Sequence, residues 1–216
     1  GVSIPSASAY AASLAAVGVD VDRSGRADWI RGAVDQAAAR LKARADLPGD
    51  LFEELTDLVE APLLIEGSVD EHYLALPAEV LSTVMRAHQR YVPLAPLAAP
   101  SDPLALSSTG VLMPTFLCVS NGLAEAADTI RRGNERVLKA RLADAEFFLA
   151  VDRAASSQER VQQLARVQFA EGLGSLLDRA QRICWLAEQL TELLPLDGET
   201  TAVARQAAGL CKHDLV

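Results

Sequence analysis

Apolar and polar positions along this chain repeat mainly with the spacing of α-helices. In residues 26–46, Trp29, Ala33, Ala37 and Leu41 recur about one helical turn apart, which predicts a helix that ends before Pro48-Gly49. The same reasoning predicts further helices over the following ranges: 6–17, 50–59, 77–89, 124–152, 156–168, 174–194 and 199–216.

Short apolar runs between turn signals predict a smaller amount of β-structure. We expect strands at 63–66, 72–76 and 114–119, and another directly after the helix in residues 76–94. Residues 95–113, rich in Pro, Ser and Ala, are expected to form a surface loop. The predicted fold class is therefore α+β and predominantly helical. A mixed α/β part (1–171) precedes an all-helical part (172–216), with a boundary at Glu171-Gly172.

Length and composition permit one large domain or two small ones. The chain has 216 residues, half of them hydrophobic and only 5% aromatic. No apolar run approaches the roughly 20 residues of a membrane span, and the first residues lack the pattern of a signal peptide. Because the chain starts without Met and stops inside a predicted helix, we expect it to be an internal part of a longer protein.

The net charge of −9 disfavours a free-standing nucleic-acid-binding domain, since such domains usually carry excess positive charge. Any RNA contact should be local, or shared with other parts of a longer protein. The three cysteines, Cys118, Cys184 and Cys211, are far apart and form no CxxC pair. We expect them to be buried thiols in a reducing compartment, with neither a disulfide nor zinc.

The segment IRRGNERVLKARLADAEFF (130–148) is the most distinctive of the chain. At 100° per residue, its apolar face collects the following residues: Ile130, Val137 and Phe148, with Leu138 and Ala145 beside them. The opposite face carries Arg132, Arg136 and Lys139. This cationic stripe is either a solvated helix face or a surface that contacts RNA phosphate or an acidic partner.

Arg141 differs from the stripe because it points toward the predicted apolar face, with Asp144 one turn further on. An unpaired charge on such a face is costly. We therefore predict that Arg141 and Asp144 form a structural ion pair that holds the long helix in place.

The last predicted helix ends in Lys212-His213-Asp214. Adjacent His and Asp on a helix are typical of metal-dependent phosphohydrolases of the HD type, but these enzymes need further His and Asp ligands. No other His occurs between residues 152 and 212. We expect no working metal site here, and the chain offers no set of residues that we would assign as catalytic. His88, at the end of helix 77–89, is expected to interact with carbonyls of its own helix.

Three segments in this order resemble the β subunit of the bacterial-type heterotetrameric glycyl-tRNA synthetase. They are LPAEVLSTVMRAHQRYVPL (76–94), FLCVSNG (116–122) with residues 130–148, and FAEGLGSLLDRAQRI (169–183) leading to AAGLCKHDLV (207–216). The block GNERVLKARLADAEFF is the most specific. Residues 1–60 resemble the family less clearly, and the loop 95–113 is longer than expected for it.

The resemblance implies a non-catalytic, tRNA-binding subunit of glycine–tRNA ligase. This chain would cover the end of a B3/B4-like domain, a connecting region and the start of a truncated HD-like helical domain, of which His213-Asp214 is a degenerate remnant. The implied partners are the α subunit and tRNA(Gly) in an α2β2 enzyme. ATP and Mg²⁺ would be used by the α subunit, so this part would hold no cofactor. The implied location is the bacterial cytoplasm or a plastid stroma. The alternatives are an HD-type phosphohydrolase fragment and a purely structural helical scaffold.

Overall fold

The structure is a computed structural model that describes residues 1–98 and 112–216. It divides into two compact units, residues 1–147 and 148–216. This division lies before Glu171-Gly172. The predicted domain boundary at Glu171-Gly172 stays a prediction. Most of the predicted loop 95–113 lies outside the described residues.

The first unit combines helices with one small sheet. Its helices are α1 (Tyr10–Ala15), α2 (Arg23–Arg40), α3 (Gly49–Leu58), α4 (Ala78–Thr83) and most of α5 (Ala127–Ala154). A π-helical turn, Val84–His88, follows α4, and 3-10 turns cover Ala7–Ala9, Glu71–Ala75 and Ala124–Ala126. The strands are β1 (Ala43–Ala45), β2 (Pro62–Ser68), β3 (Tyr91–Pro96) and β4 (Thr115–Asn121).

The four strands form an antiparallel sheet in the order β1-β3-β4-β2, with Leu64 opposite Val119 and Val92 opposite Leu117. Successive side chains of a strand point to opposite faces of the sheet. Leu117 and Val119 belong to the main core with residues of α2 and α3, so Phe116 and Cys118 face the other side. All four of these β4 residues are buried, so β4 is covered on both faces.

Two of the predicted elements in this unit were wrong, one in where it ends and the other in its type of secondary structure. The helix predicted over 26–46 ends at Arg40, because Lys42 adopts a positive φ of 52° and Ala43–Ala45 pairs with β3. Strand pairing here overrides the helix preference of alanine. The strand predicted at 72–76 is the 3-10 turn Glu71–Ala75, which the Asp70 side chain begins by accepting a hydrogen bond from the His72 N–H.

The second unit contains α6 (Ser157–Gln163), α7 (Leu176–Leu193) and α8 (Gly198–Leu210), with 3-10 turns at Leu164–Arg166 and His213–Leu215. Its residues after 172 are not all helical, because β5 (Gln168–Ala170) and β6 (Gly174–Ser175) form a small hairpin. Gly172 lies in its turn at a φ of 74°, a conformation that favours glycine. Ser175 then begins α7 in a capping box with Asp178.

The predicted fold class, α+β and predominantly helical, is confirmed. The long helix predicted over 124–152 is also confirmed, as α5 with the 3-10 turn that precedes it. Within the described ranges, no helix has both the length and the apolar character needed to cross a membrane.

Candidate polyanion-contact site on the long helix

Helix α5 is anchored to the first unit by one face that packs near the sheet. Leu138 and Leu142, one turn apart, are each only 1% exposed. Close to them, the Asn134 side-chain amide donates a hydrogen bond to the Cys118 sulfur of β4 over 3.3 Å. This face therefore fixes the rotation of α5 about its axis, and the other side chains of the helix take their directions from it.

Glu135 joins α5 to the end of the edge strand β2. Its carboxylate accepts hydrogen bonds from the Ser68 backbone N–H (3.0 Å) and hydroxyl (2.8 Å), and from the Arg131 guanidinium (3.0 Å). Burial alone would raise the pKa of Glu135, but the bonds from Ser68 and Arg131 bring it below its ordinary value. The carboxylate thus satisfies a backbone donor at an open strand edge.

The cationic stripe, Arg132, Arg136 and Lys139, lies on the exposed side of α5. The Arg132 side chain is 64% exposed and lies 3.0 Å from Asp128, while Lys139 is 69% exposed and lies 3.9 Å from Asp70. Arg136 is also exposed, and in residues 1–98 and 112–216 it makes neither an ion pair nor a hydrogen bond. Among the three, Arg136 has the least compensated charge.

Carboxylates close to the stripe offset part of its positive charge. Asp128 accepts a hydrogen bond from Arg131 and lies beside Arg132, and these two contacts lower its pKa below the ordinary value. Such exposed pairs are weak and are screened by salt. A polyanion can therefore compete for Arg132 and Lys139, and Arg136 can bind one without first losing a partner.

The cavity beside Lys139 does not suit a phosphate or a nucleotide. Its lining includes the carboxylates of Asp70 and Glu135, which would repel an anion and outnumber the single ammonium of Lys139. The chemistry that this part of the helix supports is contact with an anionic surface from outside.

Comparison with known proteins agrees with the sequence resemblance. The family model described as "Glycyl-tRNA synthetase beta subunit" matches residues 1–216. The chain belongs to the glycyl-tRNA synthetase beta subunit family. It is 38% identical to a glycine–tRNA ligase beta subunit of Gloeothece citriformis over 215 residues, covering 100% of this chain and 29% of the relative. The corresponding proteins of Bacillus subtilis (37% over 215 residues, 100% and 30%) and Rhodospirillum centenum (42% over 210 residues, 96% and 28%) are similar to it. The chain thus spans about three tenths of each relative's length.

The predicted core face of α5 in this beta subunit family member was wrong in part. Val137 is 44% and Phe148 63% exposed, whereas Leu138, predicted at the side of that face, and Leu142, which the prediction left out, are buried. Two apolar arcs run along the helix, and the contacts of Asn134 and Glu135 select the one centred on Leu138 and Leu142.

The same rotation changes the position of Arg141. It lies about 60° from Leu138 and 100° from Leu142 around the helix, and both Arg141 and Asp144 are exposed. Among the described residues, the ion pairs of α5 do not join these two side chains. Their role as a structural pair stays a prediction.

The His213-Asp214 doublet lies at the end of the second unit, in the 3-10 turn after α8. The His213 Nδ1 atom is 2.7 Å from the carbonyl oxygen of Leu210 and donates a hydrogen bond to it when Nδ1 carries the proton. Asp214 is exposed. In the described part of the chain, no group of three or more His, Cys, Asp or Glu side chains is arranged to hold a metal ion. The HD-like character of this region stays a prediction.

One polar contact was missed because its two partners are distant in sequence. The Arg86 guanidinium lies 3.0 Å from both carboxylate oxygens of Asp46, 40 residues away. Arg90, at a φ of 57°, donates to the carbonyls of Ala87 and His88, the role expected of His88. Of the cysteines, Cys118 is buried as predicted, while Cys211 is exposed.

Proposed function

We propose that this chain is part of the non-catalytic β subunit of a two-subunit glycine–tRNA ligase. It supports the ATP-dependent attachment of glycine to tRNA(Gly), and by itself it is inactive. The α subunit, which uses ATP and Mg²⁺, and tRNA(Gly) are its partners, in an α2β2 enzyme. Family membership over the whole chain supports this proposal. The observation that carries the molecular role is the exposed cationic stripe on the anchored helix α5.

The stripe, in this proposal, contacts the phosphate backbone of tRNA(Gly). Guanidinium groups bind phosphate with charge-assisted hydrogen bonds, and the backbone of a folded helix does not have to be ordered when they bind. The net charge of −9 repels RNA from most of the chain. Repulsion elsewhere and attraction at the stripe together orient the tRNA, and correct orientation lowers the entropic cost of the reaction at the partner's active site.

Aminoacylation kinetics of the complete enzyme test this role. The variant Arg132→Ala/Arg136→Ala/Lys139→Ala should raise KM for tRNA(Gly) roughly tenfold or more, since each lost phosphate contact contributes on the order of 1 kcal/mol. Glycine activation, followed by ATP–pyrophosphate exchange in the absence of tRNA, should be unchanged because the stripe takes no part in it.

A matched control changes the net charge equally at other exposed arginines, Arg153, Arg166 and Arg205. This control should leave KM for tRNA within about twofold of wild type, because distant charges are screened at physiological salt. If both triple variants raise KM equally, only net charge matters and the stripe is a solvated face. If neither variant does, this part of the β subunit is a helical scaffold without an RNA contact.

A further inference from the structure

The face of α5 that carries the cationic stripe also carries an exposed aromatic side chain. At 100° per residue, Phe147 lies about 20° around the helix from Arg136 and about 80° from Lys139. It lies about 12 Å further along the helix axis than Lys139. The Phe147 side chain is 62% exposed and belongs to the same compact unit as the stripe. An aromatic ring and three cations therefore share one solvent-facing surface of a single helix.

Carboxylates of α5 are absent from this surface between positions 132 and 147, all of which the structure describes. The acidic side chains of that stretch, Glu135, Asp144 and Glu146, lie on other sides of the helix. An arc of about 100° holds only cations, alanines and the aromatic ring. We call this set of exposed residues the cationic–aromatic face: Arg132, Arg136, Lys139, Ala140, Ala143 and Phe147.

The combination of cations with an exposed aromatic ring is typical of surfaces that bind single-stranded nucleic acid. Basic side chains follow the phosphates, and aromatic side chains stack on the bases. Inside an RNA duplex the bases are stacked on one another, so aromatic side chains stack on bases in single-stranded loops, bulges and ends. The short side chains of Ala140 and Ala143, between Lys139 and Phe147, allow a strand to approach the helix closely.

An acidic protein partner would use only part of this face. Its carboxylates would bind the three cations, but the negative face of an aromatic ring repels a carboxylate. A nucleotide uses both kinds of side chain, because its phosphate binds a cation and its base stacks on a ring. The cationic–aromatic face therefore fits a nucleotide strand better than an acidic peptide.

We propose that Phe147 stacks on an unpaired base of tRNA(Gly), next to the phosphates that the stripe contacts. This inference rests on the proposed function and adds to it the kind of RNA element, a single-stranded stretch of the tRNA. Because every base has a π-face, stacking on Phe147 contributes affinity without selecting a sequence.

Binding of tRNA(Gly) to the complete α and β enzyme tests the proposal. Phe147→Ala should raise the dissociation constant roughly fivefold or more, as removal of an aromatic stacking partner does. Phe147→Trp should bind like the wild type, whereas Phe147→Leu should bind as weakly as Phe147→Ala, because Leu is apolar but has no π-face. Phe148→Ala is the matched control, since Phe148 is 63% exposed and lies about 100° further around the helix. It should bind within about twofold of wild type.

Three results would overturn the proposal: wild-type affinity in Phe147→Ala, full affinity in Phe147→Leu, or an equal loss of affinity in Phe148→Ala. The salt dependence separates this contact from that of the stripe. Phe147→Ala removes no charge, so it should keep the wild-type slope of log affinity against log salt. If only the triple variant of the stripe weakens binding, the stripe contact stands and the stacking proposal fails. If only Phe147→Ala does so, stacking stands and the stripe contact fails.

Photo-crosslinking in the same enzyme with bound tRNA(Gly) identifies what touches the ring. A photoreactive phenylalanine analogue is placed at position 147, and in the control at position 148, and mass spectrometry identifies the product. The expected product from position 147 is a crosslink to an unpaired nucleotide of the tRNA, with far less RNA crosslinked from position 148. A crosslink from position 147 to a nucleotide of a tRNA stem, or to a peptide of the α or β subunit, would overturn the proposal.

Discussion

The substitution Gly67→Ala tests the packing between β2 and β4, on which the position of α5 depends. A Cβ atom at Gly67 would lie 2.2, 2.5 and 2.9 Å from three ring atoms of Phe116, closer than non-bonded carbon atoms approach. Phe116 has little room to move, because it is fully buried and stacks on Tyr91 with ring centroids 4.6 Å apart. The added methyl group must therefore displace a ring of the core.

The expected cost is about 1–3 kcal/mol, the usual range for overpacking a well-packed core. Alanine also reduces the conformational freedom of the unfolded chain, which returns up to about 1 kcal/mol. The net destabilisation should thus be about 1–2 kcal/mol. For a unit of 147 residues, this lowers Tm by roughly 3–8 °C.

Gly32→Ala is the matched control, because a Cβ atom there meets no other atom within 4 Å and Gly32 lies inside α2. Alanine should stabilise this helix by up to about 1 kcal/mol. Urea and thermal unfolding of the 216-residue chain, followed by Trp29 fluorescence in the Trp185→Phe background, reports on the first unit.

The same replacement of Gly by Ala should therefore lower the free energy of unfolding at position 67 and raise it at position 32. Gly67→Ala should destabilise the Phe116→Leu variant less than it destabilises the wild type, because the smaller Leu side chain does not clash with the added methyl group. A neutral or stabilising Gly67→Ala, or a double mutant with purely additive effects, would refute the close contact between these two residues.

Three further predictions concern the ion pair of Arg86 with Asp46 and the buried thiol of Cys118. Arg86→Met should destabilise the chain by about 2 kcal/mol in urea unfolding, because it leaves the Asp46 carboxylate, 15% exposed, without its cation; additivity with Asp46→Ala would argue against this pair. Burial raises the pKa of Cys118 to about 11, so iodoacetamide at pH 8 should modify Cys211 and leave Cys118 intact, as read by mass spectrometry. The Cys118 thiol ionises at lower pH in the unfolded chain than in the folded chain, so the free energy of unfolding should fall as pH rises from about 9 to 11. The fall should be smaller in Cys118→Ala. An equal pH dependence in the two proteins would contradict the raised pKa of Cys118.

The position of α5 and the exposure of its cations were predictable because they depend on local periodicity. Helical spacing of apolar and charged residues over 124–152 is a strong signal, and Arg132, Arg136 and Lys139 share one face at any rotation of the helix. The strands around Ile65 and Cys118 were predictable for a similar reason, since both are short apolar runs next to turn residues.

Which apolar arc of α5 is buried was not predictable from local pattern. Val137 and Phe148 suit a core face as well as Leu138 and Leu142 do, and the choice depends on contacts with Ser68 and Cys118, which come from other parts of the chain. Strand β1 was missed for a related reason. Ala43–Ala45 has the composition of a helix, and only its pairing with β3 makes it a strand.

The salt dependence of tRNA(Gly) affinity tests the proposed role of the stripe most directly. The dissociation constant of the complete enzyme is measured at several salt concentrations for the wild type and for Arg132→Ala/Arg136→Ala/Lys139→Ala. Each phosphate contact contributes about 0.7–0.9 to the slope of log affinity against log salt, so the variant should bind more weakly with a slope smaller by about 2. Equal affinity and equal slope in the two proteins would show that these three cations do not contact tRNA.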